Sequence, residues 1–396
     1  MDHTDSVASH LECRTCSAEY DLDTVDFPCR ECSGILDVKY RLDDLEVARE
    51  TVSNRCGSMW AYRELLPIRD ESAIVSMGEG NTPLIDCPKL AQELGVKRLY
   101  LKDEGQNPTN TFKDRGQSAA ISAAKEQGVD QVALPSAGNA GQSASAYAAR
   151  AGMNCHVFLN YQAGGVKKDL VRAHGADLHL VDGKIDGAGR AFNEARKANG
   201  WYSVATFQTP FRHEGKKTMG YEIYEDLDWR TPAEIVYPTG GGVGLIGIWK
   251  AYQEARSIGW LDDGPPRLTV AQTTGAAPVV KAIQAGQERH EPWEQPSTIA
   301  KGVEIPNPGA SSWIIEAVRE TNGGAVCVDD EDALATAIRV ARSAGVEMCV
   351  TAAVALAGAI ERAAAGAYEP DDEIVVVNTG AGVKTSAQLG EYAIDR

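Results

Sequence analysis

The sequence predicts an α/β protein with mainly parallel sheets and a small cysteine-rich module near its N-terminus. Short apolar, β-branched segments alternate with helix-length amphipathic or alanine-rich segments, a pattern typical of right-handed βαβ units. Several of the predicted strands lead directly into glycine-rich loops. Ligands of parallel sheets bind beyond the carboxyl ends of the strands, so the functional residues are expected in those loops.

Composition and charge exclude several classes of function. The 396 residues are enough for two or three domains, and the net charge of −17 argues against a nucleic-acid partner and against binding to an anionic membrane. The sequence contains no apolar run of about 18 residues, and its start lacks the pattern of a signal peptide. We therefore expect a cytoplasmic protein that acts on a small molecule.

The first predicted module contains two CxxC pairs separated by twelve residues. This spacing is typical of a zinc ribbon and predicts a structural Zn²⁺ held by four thiolates, from Cys13, Cys16, Cys29 and Cys32. A disulfide pair or a ribbon that has lost its metal are the alternatives. Because residues 1–50 are rich in Asp and Glu, a structural clip or an interaction module is expected rather than a nucleic-acid reader.

The remaining elements follow in order along the chain. Strands are predicted at 98–101, 131–134, 155–159, 178–181, 202–205, 235–237, 268–271, 326–328 and 374–377. Helices are predicted at 42–51, 59–66, 117–127, 142–150, 166–173, 187–198 and 334–344. The proline-containing stretch 286–308 is predicted to be a long irregular connection and a candidate mobile cover.

Lys113 is the candidate nucleophile. It follows the good N-cap residues Thr109, Asn110 and Thr111, so it is expected at the N-terminus of a helix. A cation is disfavoured there by the helix dipole, and a neutral lysine amine is the form that makes a Schiff base. From these residues alone, an ordinary solvated Lys-Asp-Arg cluster explains the motif as well.

Three predicted strands end in loops that could bind a ligand. The loop that begins Ser136-Ala137-Gly138-Asn139 is suited to a carboxylate or an aromatic oxyanion, and the loop that begins at Thr379 offers a hydroxyl. The loop Gly240-Gly241-Gly242-Val243-Gly244 is suited to a phosphate. It contains a GxGxxG pattern, but no acidic residue ends the next predicted strand, so the case for a nicotinamide cofactor is weak.

Together the motifs resemble the fold-type-II family of pyridoxal-phosphate-dependent enzymes, and within it the threonine synthases most closely. The resemblance rests on Gly-Glu-Gly-Asn-Thr-Pro-Leu (78–84), Asn-Pro-Thr-x-Thr-Phe-Lys-Asp-Arg-Gly (107–116), Ser-x-Gly-Asn (136–139), Pro-Phe-Arg-x-Glu-Gly-x-Lys-Thr (210–218), Gly-Gly-Gly (240–242) and Thr-Gly-x-Gly-x-Lys (379–384). The N-terminal ribbon is similar to one that precedes the catalytic part of many threonine synthases.

The resemblance implies a fold like that of the tryptophan synthase β subunit, with two α/β lobes that each contain a mainly parallel twisted sheet. Residues 1–50 would form the zinc ribbon, residues 51–107 and 206–396 the large cofactor-binding lobe, and residues 108–205 the small lobe. The implied reaction is the conversion of O-phospho-L-homoserine and water to L-threonine and phosphate. The family also allows a homodimer.

The resemblance further implies a role for individual residues. Lys113 would hold pyridoxal phosphate covalently and act as the proton carrier. The other cofactor contacts would come from Asn139 at the pyridine 3′ oxygen, Thr379 at the ring nitrogen, and Gly240, Gly241, Gly242, Val243 and Gly244 at the cofactor phosphate. The substrate carboxylate would bind Ser136, Ala137 and Gly138, and the substrate phosphate would bind Arg212.

Two departures from the family pattern keep other substrates open. Asn110 and Thr111 replace the usual Gly-Ser, and Phe207 lies where a serine is expected near the substrate phosphate. The alternatives are a threonine or serine dehydratase or a β-replacing synthase such as cysteate synthase. From other classes, a nicotinamide-dependent oxidoreductase and a catalytically silent, zinc-headed binding protein remain.

Overall fold

The structure, a computed structural model, describes residues 5–55, 57–136, 138–161, 165–181 and 185–394, without the side chains of 166, 167, 185 and 186. The strands are β1 (Ala8–Cys13), β2 (Glu19–Tyr20), β3 (Leu36–Tyr40), β4 (Leu84–Asp86), β5 (Arg98–Asp103), β6 (Gln131–Ser136), β7 (Asn154–Asn160), β8 (Asp177–Val181), β9 (Tyr202–Ser203), β10 (Glu234–Pro238), β11 (Arg267–Thr273), β12 (Ala325–Val328) and β13 (Glu373–Asn378).

The α-helices alternate with these strands. They are α1 (Arg49–Ser53), α2 (Pro88–Leu94), α3 (Lys113–Glu126), α4 (Asn139–Ala151), α5 (Gly165–Ala173), α6 (Ile185–Asn199), α7 (Phe211–Asp226), α8 (Val243–Ser257), α9 (Pro278–Gln284), α10 (Ser311–Glu320), α11 (Asp330–Ala344), α12 (Val350–Ala364) and α13 (Ser386–Ile394). Short 3₁₀ helices cover Leu42–Asp44, Met59–Leu65, Glu71–Ala73, Glu104–Gln106 and Gly382–Thr385. Within the described part of the chain, no helix is both long and apolar enough to cross a membrane.

The chain divides into two compact units. The first unit comprises Met1–Asn81 and Lys113–Thr218, and the second comprises Thr82–Phe112 and Met219–Arg396. The lobe boundaries expected from the sequence stay a prediction.

The first unit contains two sheets that share one apolar core. The small antiparallel sheet has the strand order β2-β1-β3, and the parallel sheet has the order β8-β7-β6-β9. Leu11 and Val38 of the small sheet belong to the same buried cluster as Val132 and Val157 of the parallel sheet. Phe27 adds an edge-to-face contact with Tyr202, with 5.7 Å between ring centroids. The N-terminal module is therefore part of the hydrophobic core of this unit.

The second unit is built on a six-stranded sheet with the order β12-β11-β10-β13-β5-β4. All neighbouring strands are parallel except β4, which pairs antiparallel with β5 at one edge. The apolar, alanine-rich helix α12 contacts β10 and β13 and is buried over most of its length. Buried parallel strands need apolar side chains on both faces, which explains their continuous Val and Ile runs.

The predicted fold class is confirmed. Each predicted strand coincides with an observed one, and 286–308 contains no helix or strand. The short helices predicted at 42–51 and 59–66 are observed as a 3₁₀ turn at Leu42–Asp44, the α-helix Arg49–Ser53 and a 3₁₀ helix at Met59–Leu65. A single short helix gains too little from its own hydrogen bonds to fix its type, so packing decided these segments.

Candidate active site

Lys113 is the first residue of α3, as the sequence predicted. Burial, and to a lesser extent the positive charge of Arg212, together lower the pKa of the Lys113 amine from 10.5 to about 7. Removing an ammonium group from water disfavours its charged form, and a second cation nearby does the same. At neutral pH a large fraction of this amine is therefore uncharged and able to act as a nucleophile.

Arg212 is the second residue of α7 and is fully buried. Its Nη1 donates a hydrogen bond to the carbonyl oxygen of Val204 at 2.8 Å, whereas Nε and Nη2 have no partner in the described structure. Burial lowers the pKa of Arg212 to about 10. A buried unpaired donor costs about 1–3 kcal/mol, and a planar pair of free N–H groups suits an oxyanion such as phosphate. The arrangement fits an anion-binding arginine.

Helices α3 and α7 contact each other through glycine. A Cβ added at Gly116 would lie 2.6 Å from the carbonyl oxygen of Arg212, and one added at Gly215 would lie 2.1 Å from that of Arg115. Such distances are too short for any side chain, so the two helix backbones are in direct contact. The helix that begins with Lys113 is thus fixed against the helix turn that contains Arg212.

The turn after β6 is organised by Ser136. Its Oγ accepts hydrogen bonds from the backbone N–H groups of Gly138 at 3.0 Å and Gly141 at 2.8 Å. Gly138 has φ +153°, a conformation that favours glycine, and α4 begins at Asn139 without a side-chain cap. The buried Oδ1 of Asn139 lacks a hydrogen-bond partner among the residues described. The predicted contact at Ala137 falls on a residue outside the described ones.

In the second unit, the glycine loop lies between β10 and α8. A Cβ at Gly242, which has φ +74°, would lie 2.2 Å from Cδ1 of Ile314. A Cβ at Gly240 would lie 2.6 Å from a backbone carbonyl oxygen, and one at Gly244 would lie 2.1 Å from a tyrosine hydroxyl. Apart from Gly241 and its two chain neighbours, none of the described residues has an atom within 4 Å of a Cβ built at Gly241. At Gly240, Gly242 and Gly244 the loop packs closely against the rest of this unit, whereas at Gly241 it is open. The N-terminus of α8 next to the loop has no side-chain cap, which suits it to phosphate.

Thr379 follows β13, the parallel neighbour of β10. The carboxyl ends of parallel neighbours meet at one edge of a sheet, so Thr379 and the glycine loop lie at the same edge of this unit. Thr379 is 5% exposed, and its carbonyl oxygen accepts a hydrogen bond from the backbone N–H of Phe112 at 3.1 Å. The preceding Asn378 donates from Nδ2 to Oδ1 of Asp103 at 2.7 Å, which fixes the end of the strand.

The four predicted cysteine ligands converge. The Sγ atoms of Cys13 and Cys32 are 3.5 Å apart, those of Cys16 and Cys29 are 3.6 Å apart, and those of Cys16 and Cys32 are 3.4 Å apart. Gly34 faces this cluster, because a Cβ there would lie 2.8 Å from Sγ of Cys13. All four sulfur atoms lie within 4.8 Å of one another, and none is in a disulfide.

Comparison with known proteins places the chain in a family. The sequence profile of the family described as "Pyridoxal-phosphate dependent enzyme" matches residues 75–380. The chain belongs to the pyridoxal-phosphate-dependent enzymes. The resemblance drawn from the motifs is therefore confirmed, and so is the prediction of an enzyme that uses this cofactor.

Relatives with high coverage are threonine synthases. This pyridoxal-phosphate-dependent enzyme is 36% identical to the threonine synthase of Methanosarcina acetivorans over 94% of its own chain and 91% of the relative. It is 35% identical to the threonine synthase of Methanocaldococcus jannaschii over 94% of its own chain and 92% of the relative.

A solved structure shows the same fold. The processed form of threonine deaminase isoform 2 from Solanum lycopersicum superposes with a TM-score of 0.68 at 24% identity, over 79% of this chain and 88% of that one.

Pyridoxal phosphate fits the residues of this family member. The cofactor needs an amine that can be uncharged, and Lys113 has a pKa of about 7. It needs a loop that a phosphate can approach, and the backbone at Gly241 is open. The buried, unpartnered Oδ1 of Asn139 shows an amide whose hydrogen bonding is incomplete without a ligand. The four-sulfur cluster likewise has the donor set and the spacing of a zinc site.

Sequence reasoning missed Gln117, one helical turn after Lys113. Its side chain is buried, Nε2 lies 3.4 Å from the carbonyl oxygen of Ala140, and Oε1 has no partner within the described ranges. The signal was available, because residues four apart on a helix lie on one face.

Phe207 has φ +59°, a conformation that bulky residues rarely adopt. Its ring centroid lies 6.1 Å from that of His213, the residue after Arg212. The departure from the family pattern noted in the sequence is therefore also a strained point of the backbone.

Proposed function

We propose that the chain is a threonine synthase that converts O-phospho-L-homoserine and water to L-threonine and phosphate. The observation that carries this proposal is the 36% and 35% identity to threonine synthases over more than nine-tenths of the chain and of each relative. The guanidinium of Arg212 is buried, and two of its nitrogens have no hydrogen-bond partner among the described residues, which supports a phosphorylated substrate.

Each cofactor contact has a candidate residue. Lys113 would bind the cofactor aldehyde, the amide of Asn139 would bind the 3′ oxygen, and the loop from Gly240 to Gly244 would bind the phosphate. The hydroxyl of Thr379 would face the ring nitrogen. When bound, pyridoxal phosphate supplies an electron sink for the electrons released at the substrate carbon atoms.

The chain's own groups would manage binding and proton transfer. The Ser136–Asn139 turn, at the N-terminus of α4, would bind the substrate carboxylate. Arg212 would bind the substrate phosphate and stabilise its charge as it leaves. The Lys113 amine would carry protons at Nζ, and its pKa of about 7 suits both uptake and release near neutral pH.

We further propose a structural Zn²⁺ on Cys13, Cys16, Cys29 and Cys32. Its four thiol ligands and the absence of an open position in such a set suit a structural rather than a catalytic metal. A cytoplasmic location, a homodimer and the lack of nucleic-acid and membrane partners remain expectations from the sequence.

A phosphate-release assay tests the proposed reaction. The holoenzyme is expected to release phosphate from O-phospho-L-homoserine and to form L-threonine, and to be much slower on L-serine, L-threonine and O-phospho-L-serine. The Lys113→Ala variant should neither show the visible absorbance of bound cofactor nor turn over. Wild type that binds no pyridoxal phosphate would refute the enzyme assignment as a whole.

Phe207 supports a second candidate, a dehydratase or a β-replacing synthase. An aromatic side chain at φ +59° lies five residues before Arg212, in the segment expected to contact the substrate phosphate. Turnover of L-serine or L-threonine to a keto acid, without turnover of O-phospho-L-homoserine, would favour this candidate.

A further inference from the structure

Two side-chain hydrogen bonds join strand β3 of the N-terminal module to the first turn of α7. The hydroxyl of Tyr40 donates a hydrogen bond to Oε2 of Glu214 at 2.6 Å, and Nε2 of His213 lies 3.1 Å from Oδ1 of Asp37. His213 and Glu214 are fully buried, and Asp37 is 4% exposed. The two contacts join residues 174 and 176 positions apart in the sequence.

Tyr40 is held by a second contact to the same helix. Nζ of Lys217 lies 2.8 Å from Oε2 of Glu214, and it also lies 3.7 Å from the centroid of the Tyr40 ring. A buried ammonium over an aromatic face is an attractive cation–π pair. Tyr40 therefore binds a carboxylate with its hydroxyl and an ammonium with its ring, and the charges of Glu214 and Lys217 balance each other.

The opposite side of this helix turn is fixed by α3. Gly116 and Gly215 bring the two helix backbones into direct contact, with the Cβ position of Gly116 only 2.6 Å from the carbonyl oxygen of Arg212. The turn Arg212-His213-Glu214-Gly215 is thus held between the helix that begins with Lys113 and strand β3 of the N-terminal module.

We infer that Tyr40 and Asp37 are positioning residues for Arg212, so that the N-terminal module sets the geometry of the anion-binding guanidinium. The inference rests on the proposed role of Arg212 in binding phosphate. Both contacts end on the two residues that directly follow Arg212 in the helix. Among the described residues, the hydrogen bond from its own Nη1 is the one that holds the Arg212 guanidinium.

The hydrogen bonds of Tyr40 and Asp37 to α7 favour a positioning role over a role in merely attaching the N-terminal module to the rest of the unit. The module already shares an apolar core with the parallel sheet, and the ring of Phe27 contacts that of Phe211 with 6.0 Å between centroids. A buried network of charges is a poor source of stability, because the cost of desolvation offsets the attraction. Its directional hydrogen bonds do specify one arrangement of the groups that they join.

The test compares two ligands of the holoenzyme, of which only one contains phosphate. Inhibition by inorganic phosphate reports on Arg212, and the change in cofactor absorbance on binding L-threonine reports on the rest of the site. In the Tyr40→Phe variant, the inhibition constant for phosphate and the KM for O-phospho-L-homoserine should rise about fivefold, which corresponds to about 1 kcal/mol. The dissociation constant of L-threonine should change less than about twofold.

A matched control removes one tyrosine hydroxyl elsewhere. The hydroxyl of Tyr252 donates to the carbonyl oxygen of Asp263 at 3.2 Å in the second unit. Tyr252→Phe should therefore change neither the inhibition constant of phosphate nor the dissociation constant of L-threonine. Asp37→Asn keeps the size of the side chain and an acceptor for His213, and it should give a smaller rise in the phosphate constant than Tyr40→Phe. This variant is measured in the same way if Tyr40→Phe does not fold.

Two results would overturn the inference. One is an unchanged phosphate inhibition constant in Tyr40→Phe, or in Asp37→Asn if Tyr40→Phe does not fold. The other is an equal loss of affinity for phosphate and for L-threonine, which would indicate general loosening of the fold. The proposed function fails separately, when wild type does not turn over O-phospho-L-homoserine. The phosphate affinities of wild type, Tyr40→Phe and Arg212→Met still test the positioning in that case.

Discussion

Replacing Arg212 with methionine is expected to raise the pKa of Lys113. A pKa lowered from 10.5 to about 7 means that the folded protein disfavours the ammonium form by about 5 kcal/mol, with burial as the main cause and Arg212 as the second. In general, a like charge at a separation of about 8 Å contributes about 2 kcal/mol where the effective dielectric constant is about 20. The midpoint should therefore move upward by about 1.5 pH units and remain below 10.5, because the burial is unchanged.

The assay needs no substrate. Apo-protein is mixed with pyridoxal phosphate between pH 6 and pH 10, and the return of the cofactor absorbance gives the rate of attachment to Lys113. Only the neutral amine attacks, so Arg212→Met should be about tenfold or more slower than wild type near pH 7 and should approach the wild-type rate at high pH. The ratio of the two rates cancels the titration of the cofactor itself.

Arg150→Met provides the matched control, because Arg150 is an exposed cation of the same unit. It should leave the pH profile of attachment unchanged. A rate ratio for Arg212→Met that does not vary with pH, or faster attachment than wild type at pH 7, would refute the electrostatic coupling between Arg212 and Lys113.

Three further outcomes are expected. Gly242→Ala should destabilise the apo-protein by more than about 2 kcal/mol, since φ is +74° and the new Cβ would lie 2.2 Å from Ile314. Gly241→Ala should cost less than about 1 kcal/mol. Equal thermal midpoints of the two variants would contradict this. Purified protein should contain one zinc ion per chain by metal analysis. Cys16→Ser should release this ion and lower the thermal midpoint of unfolding. A wild-type protein that contains no zinc and is as stable as the same protein with added zinc would exclude the zinc site. Between pH 7 and pH 9 Lys113 is protonated in the unfolded chain and mostly neutral in the native chain, because its native pKa is about 7. The free energy of unfolding of the apo-protein should therefore rise, relative to Lys113→Met, by about 1.4 kcal/mol per pH unit, as measured by denaturant unfolding. Parallel pH profiles of the two proteins would show that the amine is not buried as described.

Local sequence signals were sufficient to predict most of the strands and helices and the order of the glycine-rich loops. The N-cap residues before Lys113, the glycines after β10 and the alternation of strands and helices act over a few residues, so they can be seen in a linear sequence. The predicted roles of the site residues depend on a bound cofactor and stay predictions.

The unfavourable position of the cation at Lys113 was predicted from the helix dipole, but the structure shows a different main cause. Burial and the charge of Arg212 lower its pKa, and both arise from residues far away in the sequence. The strain at Phe207 and the unpartnered oxygen of Gln117 are also properties of packing. No periodicity or motif encodes how many partners a buried polar atom has, because that number depends on which segments meet around it.

The sequence by itself determined the fold class and the cofactor family, since the alternation of strands and helices and the order of the short motifs can be seen in the linear chain. It also predicted which four cysteines converge, from the spacing of the two CxxC pairs. Only the tertiary structure decided that Tyr40 and Asp37 of the N-terminal module hold the helix turn of Arg212, and that Gly116 and Gly215 press this turn against α3. The physical reason is that these contacts join residues about a hundred or more positions apart, and burial gives them their strength only after the core has formed.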